Sequence, residues 1–392
     1  MKKINVILVI VMLWFACNEP PKKGSFAYDL ELLNQNQETV ILKNNNDQCQ
    51  VILVPAFQGR VMTSTAKGLK GRSYGWINHD LIASKKIQKQ MNAFGGEDRF
   101  WLGPEGGQFS LFFKKGDPFT LNYWNTPKEI DTEPFTLIEK SSTHAVFEQE
   151  FSLKNYQDYT FKVRVNRTIS MLDKEQINLN LGIDLSEKVA HVGFQSENVL
   201  TNLNNTPWEK DKGLLSIWIL GMFMPSEHST VVIPYKDSLV LNTNYFGPIS
   251  SDRLKVKQNT IFYKADGKYR SKIGIPPTNS LPVFGSYDSE NKLLTVVQYT
   301  LNEKGSYVNS LWEQQTEPYG GDVINSYNDG PLENGGQMGP FYELETSSYT
   351  RALNPNETLE HTHITYHFEG DAEELNTIAK EVLGINLSQI EL

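Results

Sequence analysis

The chain is poor in cysteine, in basic charge and in helical pattern, and each shortage excludes something. Of its 392 residues only Cys17 and Cys49 are cysteines. With Cys17 directly behind an apolar leader, Cys49 has no partner for an internal disulfide, so a hydrophobic core must hold the fold. Acidic residues outnumber basic ones, 46 against 37, for a net charge of −9. That balance lacks the basic footprint that phosphates require and excludes nucleic acid as a partner. Helical spacing is clear only near the end, in "DAEELNTIAKEVLG". There Asp371 is the expected N-cap, Leu375, Ile378, Ala379, Val382 and Leu383 form the apolar stripe, and Gly384 gives the stop. No internal repeat and no low-complexity linker divides the chain, which points to one domain.

The one long apolar run is at the start. Lys2 and Lys3 precede "INVILVIVMLWFA", a run too short to span a bilayer comfortably, so it reads as a secretory signal. Ala16-Cys17 directly after it resembles the processing site of bacterial lipoproteins. The resemblance implies a signal peptide over 1–16, an acylated Cys17, and a Pro-rich tether over 17–27 carrying a domain over 28–392. It also implies a cell-envelope location, lipid-anchored to a membrane and facing the periplasm or the outside.

What is plentiful is strand. "ETVILKN", "CQVILVPAF" and "GRVMTSTAKG" are short β-rich runs broken by turns. "FTLIEK", "HAVFEQEFSL", "YTFKVRVNRTISM" and "QINLNLGIDL" follow as an expected antiparallel meander with one buried face. "IFYKADGKYRSKI" is expected to turn at Asp266-Gly267 as a hairpin, and "VFGSYDSENKLLTVVQYTL" as a second one. The fold class is therefore all-β, a large antiparallel two-sheet sandwich with a short C-terminal helix. Aromatic residues make up 11% of the chain, including seven Trp. That content suits carbohydrate, whose C–H faces pack on aromatic rings, and equally a large β core.

The segment "FYELETSSYTRALNPNETLEHTHITYHFEG", residues 341–370, concentrates titratable groups. On a strand, alternation puts Phe341, Glu343, Glu345 and Ser347 on one face, with Tyr342, Leu344 and Thr346 on the other. With Leu344 between the sheets, both glutamates point into a cleft. This segment, the opening "QVILVPAFQGRVMTSTAKG" and the meander between them resemble, in order, the galactose mutarotase-like superfamily, which includes the aldose 1-epimerases. The resemblance implies a β-supersandwich with a sugar cleft on its concave sheet. Glu345 matches the glutamate that serves those enzymes as general base, and Glu343 stands close enough to raise its pKa. The family's central Asn-His-x-Tyr-Phe motif, which supplies the general acid, has no counterpart here. At the comparable point "AHVGFQSENVLTNLNN" offers only His191 or Glu197 as a replacement, and His191 reads equally well as an ordinary strand residue.

Three further groupings are candidate substrate contacts. In "AFGGEDRFWLGPEGGQFSLFF", Glu97, Asp98, Arg99, Trp101 and Glu105 lie between paired glycines that allow close approach of a ligand; the alternative is a loop pinned by Arg–carboxylate pairs. From Trp312 to Pro331, a polar stretch with interspersed aromatics reads as a binding loop, where Tyr327 would contact the substrate and Asp322, Asn325, Asn328 and Asp329 would bond sugar hydroxyls or, less readily, Ca²⁺. Lys268, Arg270 and Lys272 alternate onto one strand face, suited either to the carboxylate of a uronic acid or to solvent. His361, His363 and His367 share a face but lack acidic or cysteine partners at metal-ligand spacing, so no metal site is assigned. No cofactor is expected beyond that candidate Ca²⁺. The expected partner is a mono- or oligosaccharide, and the expected chemistry is epimerase-like acid/base catalysis. Glycan cleavage by a lyase or hydrolase is the alternative within the enzyme class, and a non-catalytic glycan-binding lipoprotein the alternative outside it.

Overall fold

A computed structural model describes residues 20–332, 335–390 and 392. The signal segment and Cys17 lie outside the described residues. Among those described, the strands form three antiparallel sheets. The smallest holds Val40–Lys43, Gln50–Val54 and Arg60–Thr65. The largest has ten strands, in spatial order Leu254–Lys257, Thr260–Lys264, Ser229–Pro234, Val283–Asp288, Leu293–Tyr299, Thr358–Glu369, Ala190–Asn202, Thr160–Leu172, His144–Lys154 and Thr136–Lys140. The third has five, in the order Ser271–Ile275, Ile324–Asn328, Tyr342–Ser347, Ser216–Phe223 and Arg99–Gly103. This is the all-β sandwich that the strand pattern implied.

The ten- and five-stranded sheets face each other across the main core. Phe100, Ile217 and Ile219 of the smaller sheet pack with Phe147, Val163, Val165 and Phe194 of the larger. Leu344, Ile273 and Ile324 pack with Val231, Phe284 and Val297. The period of two is clean in Thr160–Leu172, whose every second residue is buried. In the five-stranded sheet the pattern disappears and almost every residue is buried, because loops cover its second face. The helix Ala372–Leu383 lays Leu375, Ile378, Ala379 and Leu383 on the outer face of the ten-stranded sheet, against Leu294, Val296, Tyr366 and Phe368.

Several local expectations change. The run "QINLNLGIDL" is no strand: Lys174–Leu181 is a helix. Asp173 and Gln176 close a reciprocal capping box on it, and Gly182 ends it in the left-handed region. The Asp-x-x-Gln spacing outweighs the apparent alternation. Asp266-Gly267 does not close a hairpin either. Thr260–Lys264 belongs to the ten-stranded sheet and Ser271–Ile275 to the five-stranded one, so the chain crosses between layers there. Asp266 anchors the crossing by pairing with Arg253. A helix at Phe26–Asn36, capped by Ser25 with Phe26 fully buried, starts the folded body two residues ahead of the expected tether boundary. Within the expected 312–331 loop, Ile324–Asn328 is an inner strand.

Candidate functional site

The second face of the five-stranded sheet carries the chemistry. Cross-strand register sets Arg99, Leu220, Glu345 and Asn325 in one row of that face. Met222, Glu343, Tyr327 and Lys272 form the next row, and Trp101 lies beside Trp218 in a third. A pocket opens over these rows, with about 580 Å³ of empty space including its mouth. Its walls are aromatic (Trp101, Trp124, Trp218, Trp312, Phe246, Tyr327 and Phe341), with Leu121 and Met338 at the lip. Arg99, Arg270, Lys272, Glu105 and Glu343 are its charged groups.

The charges are interlocked. Arg99 Nη2 donates to Glu343 Oε1 at 2.9 Å, and the same guanidinium lies 4.1 Å over the Trp101 ring. Lys272 Nζ donates to Glu345 Oε2 at 2.9 Å, and Trp218 Nε1 donates to the same oxygen at 3.0 Å. Burial drives the Glu343 carboxyl up to about 8; Arg99 opposes this and the neighbouring Glu345 adds to it. Burial also raises Glu105, against Lys272 and the indoles of Trp312 and Trp124, with Glu345 again adding. For Lys272, burial pulls downward but is outweighed by Glu345, Glu105 and Glu343, so the ammonium is held above its ordinary range. A carboxyl held at about 8, a second one raised above its ordinary range and an ammonium line one pocket, a set of groups suited to proton transfer.

Alternation sets the face of Glu343 and Glu345 as expected, but their depths differ. Glu343 lines the pocket, whereas Glu345 is wholly buried and does not. Lys272 and Trp218 clasp its Oε2 from above, and its Oε1 has no partner among the described residues. The residue to which the resemblance gives the base role is thus screened from the pocket by its own partners. Arg99, Trp101, Tyr327, Arg270 and Lys272 all reach the pocket. Lys268, the outermost member of that basic stripe, pairs with Glu227 instead.

The remaining candidates lie elsewhere. Glu97 is sealed between the layers, bonded to the Ser64 backbone and hydroxyl and to His367 Nε2 at 2.7 Å. Asp98 pairs with fully buried Arg167 at 2.5 Å. These two answer to the pinned-loop alternative and do not reach the pocket. Asp322 Oδ2 accepts from Tyr245 and Asn242, and Asn325 Nδ2 donates to Tyr245, so both support Tyr245 behind Lys272. Asn328 faces the opposite side and fixes the 266–269 crossing through Gly267 N and Tyr269 O. His191 and Glu197 sit in the ten-stranded sheet, part-exposed and exposed, away from the pocket. His361 and His363 are buried in the interlayer core, each 2.8 Å from the Thr346 hydroxyl. Burial holds His361 down at about 3 and His363 at about 4, so both are neutral. Among the described residues no cluster of three or more His, Cys, Asp or Glu is placed to hold a metal. Trp312 opens the loop that the sequence already marked for binding, whereas the indoles at 124 and 218, and Phe246, escaped sequence reasoning. Their only signal was the high tryptophan content.

The architecture is that of the galactose mutarotase-like sandwiches. A galactose mutarotase-like protein from Lactobacillus casei superposes with a TM-score of 0.52 at 9% identity, covering 85% of this chain and 100% of its own. A putative aldose 1-epimerase from Escherichia coli gives 0.51 at 9% identity, covering 85% and 99%. At that identity the likeness concerns the fold. The chain itself belongs to the family of unknown function DUF6786, whose sequence profile matches residues 24–392. No curated protein sequence is significantly similar to it.

Proposed function

We propose that this chain binds a sugar in the aromatic pocket of the five-stranded sheet and moves protons at its anomeric centre. The observation that carries the reading is Glu343, a pocket-wall carboxyl that burial keeps protonated near neutral pH, opposite stacking surfaces for a pyranose. In the epimerase-type reaction Glu105 takes the proton of the O1 hydroxyl and the C1–O1 bond becomes a carbonyl. The bond from C1 to the ring oxygen breaks, and Glu343 protonates that oxygen. Rotation about C1–C2 and closure by the reverse transfers give the other anomer. Lys272, bonded to Glu345 and lying over the Trp218 ring, sits where it stabilises charge developing on the sugar oxygens. The general-base role that resemblance assigned to Glu345 passes to Glu105, because Glu345 has no opening onto the pocket. Glu345 becomes a positioning residue.

The test is anomeric exchange by NMR across a panel of aldoses, with Glu343→Gln alongside the wild type. The variant should lose about 10²- to 10⁴-fold in exchange rate while still binding the sugar. An undiminished rate would remove Glu343 from the chemistry. Sugar binding by the wild type without exchange or cleavage would establish the glycan-binding reading instead. Anchoring through an acylated Cys17 in the cell envelope is part of the same proposal. No helix among the described residues is long and apolar enough to cross a membrane.

A further inference from the structure

We infer that the sugar taken by this pocket carries a carboxylate, and that Arg270 is its recognition point. The inference rests on the sugar-binding reading above. Of the three cations on the wall, Arg99 already donates to Glu343 Oε1 at 2.9 Å and Lys272 to Glu345 Oε2 at 2.9 Å. Arg270 forms no ion pair with any described residue. Its Nε donates to the Tyr327 hydroxyl at 3.2 Å, and that hydroxyl donates onward to Asp329 Oδ1 at 2.7 Å. The guanidinium lies 3.9 Å over the Phe246 ring. One edge of the fork is therefore tied and one face stacked, while both terminal nitrogens remain without a partner among the described residues. A planar, pre-oriented pair of donors is the geometry that a carboxylate meets with two parallel hydrogen bonds.

A second observation points the same way. Arg99 Nε and Trp101 Nε1 are buried N–H groups in the wall with no acceptor among the described residues. A buried donor left unmatched is unfavourable, so this wall calls for a ligand rich in acceptor oxygens. Arg270 also lines the adjoining groove, which shares Met91, Leu121, Trp124 and Met338 with the pocket. It stands at the mouth, where a substituent projecting from a ring stacked inside would arrive. The inferred ligand class is a hexuronate, free or at the end of a chain.

The experiment titrates the full chain by tryptophan fluorescence with glucuronate and galacturonate, their methyl esters, the neutral hexoses, and a hexose 6-sulfate. The wild type should bind a uronate about 10- to 100-fold more tightly than the matching ester or hexose, with the advantage shrinking as salt rises. Arg270→Gln should bring the uronate-to-ester affinity ratio to about one, and Arg270→Lys should restore only part of it; melting curves on each variant check folding. Equal binding of uronate and ester by the wild type, or an unchanged ratio in Arg270→Gln, overturns the inference and leaves the sugar-binding reading standing. A sulfate ester that outcompetes both uronates overturns the carboxylate in particular. If no sugar of any kind binds, the sugar-binding reading fails first and this inference with it.

Discussion

Replacing Lys272 by Met removes the one cation at hydrogen-bonding distance from Glu345. The pair is 2.9 Å long, and its side chains are 7% and 0% exposed, so little water screens it. Glu345 would keep only the Trp218 indole, with Oε1 already unmatched. Removing one member of a buried pair typically costs about 3–5 kcal/mol, because the other charge is left uncompensated. For a chain of 392 residues the unfolding entropy is about 0.8 kcal/mol/K, so the melting temperature should fall by about 4–6 °C. Glu345→Met should cost less, since Lys272 retains the field of Glu105. The double variant, with apolar side chains of similar length at both positions, should recover to within about 2 kcal/mol of the wild type. Urea unfolding of all four proteins at one pH gives the coupling energy directly. A loss below about 1 kcal/mol in Lys272→Met would refute the reasoning, because only a hydrated pair is that weak.

Two further outcomes are expected. In the unfolded chain Glu343 gives up its proton near 4.5, and in the folded protein only at about 8. Unfolding therefore releases a proton in that window, and stability contributed by this group falls as pH rises from about 5 to 8 and levels off above it. Urea midpoints for the wild type against Glu343→Gln should diverge across that window; a constant difference would show that burial does not govern this carboxyl. Separately, Cys17→Ser should shift the expressed protein from the membrane to the soluble fraction, and an unchanged membrane fraction would remove acylation as the anchor.

The sequence pattern carried the layers better than the depths. Period-two alternation placed Leu344 in the core and both glutamates on the opposite face, because side-chain direction on a strand is a local property. Which glutamate reaches solvent is not local. It depends on Trp218 and Lys272, which arrive from strands over 50 residues away in sequence. The histidines illustrate the same limit. Their shared face was readable, but a partner such as the Thr346 hydroxyl belongs to the facing sheet, so pattern alone could not separate a metal site from a dry core. Glu97 and Asp98 looked like loop acids because paired glycines surround them; their partners, His367 and Arg167, come from the ten-stranded sheet. The missed helix at Lys174–Leu181 is different, because its capping pair was local and open to inspection.

The strand Tyr342–Ser347 has no solvent face to spare: one side is sealed in the sandwich and the other closes the floor of the pocket. A frame slip of a single residue within it would thrust two carboxyls among the neutral histidines and turn Leu344 and Thr346 outward. Descendants of this chain can therefore retune the cavity by exchanging side chains, but an inserted or deleted codon in this stretch would dismantle cavity and core together.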